Sequence, residues 1–326
     1  EKKIAENLNI KFIKIPLSGF RGKSFFSKLK AFLAFLLTGF YFLVKIWPFK
    51  TLNKKETPLI AFGGYVSLAA FFYFKGPVYL QEQNTIPGSV SRLLVSTKKV
   101  KKVFCGFKQT QNYFKKISKE ENRIILSGNP VSPNFHTLYK ENKNKFLQNI
   151  EMKILILGGS QGSKSLNLIL PKALFNIEEL FVKHQCGKNN FDETEITYQK
   201  YTNDKNKIEI IEYIDNIHEY YGWADIIICR AGALTVSEVS ASGSLGIFIP
   251  LPWAIDNHQF FNAKQLKDLN AGFLIEENKN LEQDLIKILN DIKKIEIDKL
   301  RIMKENAYKA YIKSPERKIY DEVAEK

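Results

Sequence analysis

The stretch from Cys229 to Asn262, CRAGALTVSEVSASGSLGIFIPLPWAIDNHQFFN, sets a Gly-bearing turn, a carboxylate and a polar cluster within one short span. An apolar run ends in Arg230-Ala231-Gly232, and a helical pattern opens at once with Ala233, Leu234, Thr235, Val236, Ser237 and Glu238. A second apolar run and the polar cluster Asp256-Asn257-His258-Gln259 follow. Strand, Gly turn, helix, strand and polar loop place the phosphates of a nucleotide at a helix N-terminus, beside the carboxyl ends of parallel strands. Glu238 then falls one turn into the helix, within reach of ribose hydroxyls. Singly, Glu238 and His258-Gln259 read as solvated polar residues. Their shared position after consecutive strands raises both.

Three further turns could join such a site. Residues 155–163 (LILGGSQGS) form a strand ending in a Gly-rich turn whose free N–H groups can bind phosphate. The turn is not a dinucleotide fingerprint, because Ser160 takes the place of the second glycine. It is not a P-loop either, because Ser163 takes the place of the required glycine. Residues 62–67 (FGGYVS) repeat the theme, with Gly63, Gly64 and Tyr65 available to a second phosphate. Gln81-Glu82-Gln83-Asn84 follows an apolar run. Glu82 could act there as a general base and Asn84 as a donor to a sugar, or the four residues could be a solvated loop.

Short β-branched runs alternate with helical patterns along the chain, which predicts an α/β protein of doubly wound parallel sheets. Strand candidates are 10–15, 59–62 and 77–80 in a first half, and 153–157, 180–184, 207–211, 226–229 and 247–250 in a second. A polar, Pro-bearing stretch opens at Gly128-Asn129-Pro130. The domains expected are 1–135 and 151–326, joined by a linker at 136–150. The tail from Leu281 reads as helices.

Composition limits the partners. The 326 residues carry a net charge of +15 and are 44% hydrophobic, which fits a globular protein that meets anionic ligands or surfaces. Three dispersed cysteines exclude a disulfide framework and structural zinc. No interleaving of aromatic and basic residues suggests an RNA platform, so nucleic acid is not expected. Residues 25–50 are strongly apolar and flanked by lysines. The fourteen uncharged residues between Lys30 and Lys45 are too few for a helix to cross a hydrocarbon core of about 30 Å. An interfacial helix pair docking on anionic lipid and a buried helix both stay open.

Together these motifs resemble the MurG family, peripheral membrane transferases that add N-acetylglucosamine to lipid I in peptidoglycan synthesis. The matching pieces are SGFRGK (18–23), FGGYVS (62–67), QEQNTIPG (81–88), GNPV (128–131), GGSQGS (158–163) with Asn167, WADIIICRAGALTVSE (223–238) and DNHQFFNA (256–263). The resemblance implies a GT-B fold, two Rossmann-like domains facing a cleft. It implies that Ser160 and the residues from Ala233 to Glu238 hold UDP-N-acetylglucosamine, with Glu238 on the ribose and the Leu234–Thr235 backbone near the phosphates. Ile214 would lie against the uracil, Gln259 on the sugar hydroxyls, and Asn84 and Asn167 near the donor. Gly63, Gly64 and Tyr65 would face the acceptor, lipid I, and Glu82 is the candidate base in this chain.

The resemblance further implies inverting chemistry without metal or cofactor, at the cytoplasmic face of the cell membrane. The sequence departs from the family in two places. Ser132 stands where the family carries an arginine after GNPV, and no GTGGH-like segment is found, so the chain is expected to begin after that loop, whose His is the leading base by resemblance while Glu82 is the best candidate present in this chain. The rival readings are another GT-B transferase acting on a glycolipid, and a non-catalytic basic protein.

Overall fold

A computed structural model describes residues 5–6, 8–12, 55–143, 145, 151–159, 161–201 and 204–324, with the side chain of Tyr65 excepted. Ser160, the segments 18–23 and 25–50, and residues 13–15 lie outside the described residues. Ile10, Lys11 and Phe12, expected to open a strand, have no regular structure. Among the described residues no helix is long and apolar enough to cross a membrane.

The chain divides into two compact units. Unit 1 comprises Glu1–Gln83, Pro87–Ser127 and Lys318–Lys326. Its elements are β1 (Leu59–Ala61), α1 (Gly64–Tyr73), β2 (Val78–Glu82), α2 (Ser89–Val95), β3 (Val100–Cys105), α3 (Lys108–Ile117) and β4 (Ile124–Leu126). The four strands are parallel, in the order β1-β2-β3-β4. Period-two alternation sorts their side chains. Val78, Leu80, Val103 and Cys105 enter one core with Leu94 and Phe114, while Tyr79 and Phe104 stack at 6.3 Å on the other face. A C-terminal helix returns to cover that second face with Ile319 and Val323, and Glu322 pairs with Lys102.

Two sequence expectations need correction here. β2 runs on through Gln81 and Glu82, which are buried at 0% and 5% exposure, so these polar residues belong to the strand and not to a loop after it. β3 (VKKVFC) is a strand that carries no clear apolar run, because its lysines interrupt it while sitting at the more exposed positions.

Unit 2 comprises Asn84–Ile86 and Gly128–Arg317. Where a linker was expected, α4 (Asn134–Asn142) forms a helix. The next elements are β5 (Met152–Leu157), α5 (Lys164–Phe175), β6 (Leu180–Gln185), α6 (Phe191–Lys200), β7 (Lys207–Ile211), α7 (Ile217–Trp223), β8 (Ile226–Cys229) and α8 (Ala233–Ser242). The unit continues with β9 (Leu245–Phe248), α9 (His258–Asp268), β10 (Gly272–Leu274), α10 (Leu281–Lys294) and α11 (Ile297–Ala310), before α12 (Pro315–Ala324) runs back into unit 1.

α4 is held by packing, not by its own propensity. Phe135 meets Tyr221 edge-on at 5.0 Å, Tyr139 stacks on Tyr308 at 3.6 Å, and the Asn142 amide donates to Ser242 O at 3.0 Å. The buried Lys304 ammonium caps its end, donating to the Asn142 and Lys145 carbonyls, and burial lowers that lysine's pKa to about 8.

The sheet of unit 2 is wholly parallel, in the order β10-β9-β8-β5-β6-β7. Counted from β5, this is the doubly wound order in which direction reverses between the first and fourth strands, and the crevice at that switch point is where such sheets bind ligands. The near-continuous apolar strands follow from burial on both faces. Ile154, Ile156, Ile226, Ile228 and Ile247 are fully buried, packed under Leu166 and Leu170 of α5 and Leu285 and Leu289 of α10.

Candidate donor-nucleotide site in unit 2

The β5 and β8 strands are neighbours, with Leu157 beside Cys229, and each ends in a Gly-bearing turn that starts a helix. Ser163 occupies the N-cap position of α5 and Gly232 that of α8. Neither cap makes a side-chain bond to its own helix, so two helix N-termini open at the switch point without side-chain acceptors. This is the arrangement in which backbone N–H groups and helix dipoles receive an anion.

The turn after β5 can exist only because of its glycines. Gly162 has φ +75°, and a Cβ there would sit 1.8 Å from Cys186 O, so the loop lies directly on the backbone after β6. Gly162 N–H donates to Gly159 O at 3.0 Å, closing the turn. In unit 1, Gly63 plays a comparable part at the start of α1. It has φ 77° and ψ −174°, a conformation open in practice to glycine alone, and it stands against Ser91. Gly64 follows with φ +75°.

Arg230 is the residue that ties the unit 2 site together. It is 7% exposed. Its guanidinium donates to Ser163 Oγ at 2.7 and 3.2 Å, to Ser165 Oγ at 2.8 Å, and to the carbonyls of Ile249 and Pro250 at 3.1 and 3.3 Å. It also pairs with Glu277 at 2.5 Å. One planar cation thus joins the turns after β5, β8 and β9 and the segment after β10. It also explains why Ser163 does not cap α5. A cavity of about 460 Å³ opens beside it, lined by Gly158, Ser163, Lys164, Trp253 and Gln259 among others. Sequence reasoning treated Arg230 as a turn residue, since an arginine beside Ala-Gly carries no sign of five simultaneous bonds.

Gln259 lines this cavity, and its Oε1 accepts from Leu251 N–H at 3.0 Å, which fixes the side chain across the loop after β9. Within α8, Ala233, Val236 and Ser237 are buried, Leu234 is exposed and Thr235 is half-buried. Ser237 donates to Ala233 O at 2.8 Å and accepts from the Asn129 amide at 3.1 Å. Glu238 accepts from Tyr221 OH at 3.1 Å, and burial raises its carboxyl pKa.

Ile214 is buried in the loop after β7. Asn167 is 3% exposed and both ends of its amide are engaged, Nδ2 with Cys186 O at 2.9 Å and Oδ1 with His184 Nε2 at 3.1 Å. As placed, it braces the floor of the loop after β6. Asn84 belongs to unit 2, where its Oδ1 accepts from Asn262 at 3.2 Å. Asn262, not singled out from the sequence, is fully buried and uses every side of its amide, accepting from Thr85 N–H and Oγ1 at 2.9 Å and donating to Asn84 and to Ala231 O. The long separation of Thr85 from Asn262 hides this relation from any local pattern.

Glu82 ends β2 in unit 1, and its Oε2 accepts from Gly88 N–H at 3.1 Å at the N-cap of α2. Among the described residues no cluster of His, Cys, Asp and Glu is arranged to hold a metal ion.

Two parallel α/β units, the second in doubly wound order with polar loops and two open helix N-termini at its switch point, make this a GT-B protein of the class that handles nucleotide-activated sugars. The chain belongs to glycosyltransferase family 28. Its residues 153–323 match the family 28 C-terminal domain, and residues 1–105 match the N-terminal domain. The UDP-N-acetylglucosamine--N-acetylmuramyl-(pentapeptide) pyrophosphoryl-undecaprenol N-acetylglucosamine transferase of Francisella philomiragia is 37% identical over 325 residues, covering 97% of this chain and 84% of the relative. The protein of that name from Pseudoalteromonas atlantica is 38% identical over 245 residues, covering 72% of this chain and 63% of the relative.

The crystal structure of MurG from Acinetobacter baumannii is similar with a TM-score of 0.74 and 28% identity, covering 100% of this chain and 88% of that one. The UDP-GlcNAc 2-epimerase of Neisseria meningitidis, solved with UDP-GlcNAc bound, shares the fold at a TM-score of 0.64 and 13% identity, covering 100% of this chain and 88% of that one.

Proposed function

We propose that this chain is the N-acetylglucosaminyltransferase that moves N-acetylglucosamine from its UDP carrier to the muramyl 4-hydroxyl of the undecaprenyl-linked acceptor lipid I, giving lipid II. The observation that carries the reading is the pair of open helix N-termini at the unit 2 switch point, gathered by Arg230, in a chain 37% identical to a relative with that activity in its name. The acceptor oxygen attacks the anomeric carbon as the bond to UDP breaks, with inversion. Negative charge grows on the departing diphosphate, where helix dipoles and fixed N–H groups favour it without reorganising.

In this reading the first turn of α8, with Leu234 and Thr235, serves the diphosphate, and Ser160 serves it from the opposite turn. Glu238 serves the ribose, Ile214 the uracil and Gln259 the sugar hydroxyls. Asn84 and Asn167 belong to the same donor site. Gly63, Gly64 and Tyr65 serve the acceptor. Of the residues present in this chain, Glu82 is the one that would serve as the base, as the carboxylate at the carboxyl end of β2. Glu82→Gln should lower turnover by about a hundredfold, the lower range for general base catalysis, with donor affinity kept. Normal turnover removes Glu82 from that role. The net charge of +15 supports a station on anionic lipid at the cytoplasmic face of the membrane, where the acceptor would reside.

Calorimetric titration with UDP-N-acetylglucosamine, with UDP-glucose and NADH as controls, tests the donor assignment. Binding selective for the N-acetylated sugar is expected, and Glu238→Ala should weaken it by about tenfold, as for the loss of a hydrogen bond to a charged group. A folded chain that binds no UDP-sugar contradicts the reading.

A further inference from the structure

We infer that Gln185 is a positioning residue for donor binding, a single amide that holds two nucleotide-facing loops in register. The inference rests on the donor site proposed above. Gln185 is the last residue of β6 and is 6% exposed. β6 lies between β5 and β7, with Gln185 level with Leu157 on one side and Ile211 on the other. The loops that leave those two neighbours are the Gly-rich turn and the loop carrying Ile214. The amide reaches both. Its Nε2 donates to Gly159 O at 3.1 Å, and its Oε1 accepts from Ile214 N–H at 3.1 Å.

The chemistry of the side chain fits this task. A primary amide offers a donor and an acceptor in one rigid plane at once. A carboxylate could keep the bond to Ile214 N–H but would turn a second lone pair toward Gly159 O. An alkyl side chain would leave Ile214 N–H without its partner in a buried place, which costs more than the bond itself is worth.

The neighbouring backbone follows the same seam. Cys186 N–H donates to Ile211 O at 2.9 Å, Gly187 N–H to Glu212 O at 3.1 Å, and the Asn190 amide to Gln161 O at 3.2 Å. Of these contacts only Gln185 joins the two loops through one group. The turn that would receive phosphate and the loop that would receive the base therefore move together, and a nucleotide spanning both meets them already spaced.

The test compares the wild-type chain with Gln185→Leu, which keeps the bulk and removes both bonds, and Gln185→Glu. For Gln185→Leu, calorimetry with UDP-N-acetylglucosamine should show donor affinity weaker by about tenfold, the value of one net hydrogen bond. KM for the donor should rise while KM for the acceptor and kcat hold. Loss of thermal stability with donor affinity intact would overturn the inference and leave Gln185 a packing residue.

Gln185→Glu carries the test if the leucine variant does not fold. Its neutral carboxyl can donate to Gly159 O while accepting from Ile214, and its ionised form cannot. Uridine is the probe, so that repulsion between the new carboxylate and a diphosphate does not enter. Burial at this site should raise the new carboxyl above the usual carboxylate range, so uridine affinity of this variant, taken relative to wild type at the same pH, should be best at pH 5 and fall toward pH 8. Parallel profiles overturn the inference. Failure of the wild-type chain itself to bind UDP-N-acetylglucosamine would instead sink the donor assignment, so the two failures are distinguishable.

Discussion

Arg230 and Glu277 form an ion pair of 2.5 Å with side chains only 8% and 10% exposed, set directly behind the turns at the unit 2 switch point. The pair is buried, so its worth is not that of a surface bridge. Removing one partner leaves a desolvated charge, which is far more costly than losing a solvated bridge. Glu277→Gln should therefore destabilise the chain by about 3 kcal/mol. Chemical denaturation should show a lower midpoint at unchanged m value. Arg230 keeps its bonds to Ser163, Ser165, Ile249 and Pro250 in that variant, so the fold should survive. A midpoint equal to wild type would show that the pair does not bear on stability.

His184 gives the fold a signature in acid. Its ring is fully buried between Tyr198 OH at 3.0 Å and the Asn167 amide at 3.1 Å, and burial lowers its pKa to about 3. The unfolded chain takes up a proton below about pH 6.5, whereas the folded chain does so only near pH 3. The stabilising effect of neutral His184 is thus fully present above about pH 6.5 and is lost as pH falls, by about 1.4 kcal/mol per pH unit in the window between the two values. Denaturation of wild type and His184→Gln at pH 5 and pH 7 should differ by that slope. Equal slopes would mean that His184 takes up its proton as readily in the folded chain as in the unfolded one.

Asn262 tests how a residue without obvious chemistry supports one that has it. Its amide is saturated by Thr85, Asn84 and Ala231. Asn262→Leu should destabilise unit 2 by about 2 kcal/mol, because Thr85 N–H and Ala231 O lose a buried partner. It should also remove one hydrogen bond from Asn84 and weaken UDP-N-acetylglucosamine binding in calorimetry. Unchanged affinity in a folded variant would separate Asn84 from the donor site.

These residues also show what could be read from the chain alone. The strands of unit 2 were legible because burial on both faces demands unbroken β-branched runs, as at Ile226-Ile227-Ile228. β10, only Gly272-Phe273-Leu274, was too short to stand out, and the lysines within β3 masked its period-two pattern. α4 looked like linker because its polar sequence owes its helix to Tyr221, Tyr308 and Ser242, none of them nearby in sequence.

Turns were legible through their glycines, and so the phosphate-facing loops could be named. The side chains that tie those loops to one another could not. Gln185, Arg230 and Asn262 are ordinary polar residues until β5, β6, β8 and β9 are laid side by side. Gln81 and Glu82 were expected in a loop because polar residues inside a buried strand run against pattern.

Sugar transfer to the lipid acceptor is the decisive measurement. The purified chain would be incubated with UDP-N-acetylglucosamine labelled in the sugar and lipid I in anionic vesicles, and the lipid fraction analysed by mass spectrometry. The label should enter the lipid as one β-linked N-acetylglucosamine on the muramyl 4-hydroxyl, with UDP released in equal amount. A folded chain that binds the donor yet leaves lipid I unglycosylated, or that transfers the sugar to a different glycolipid in preference, would contradict it.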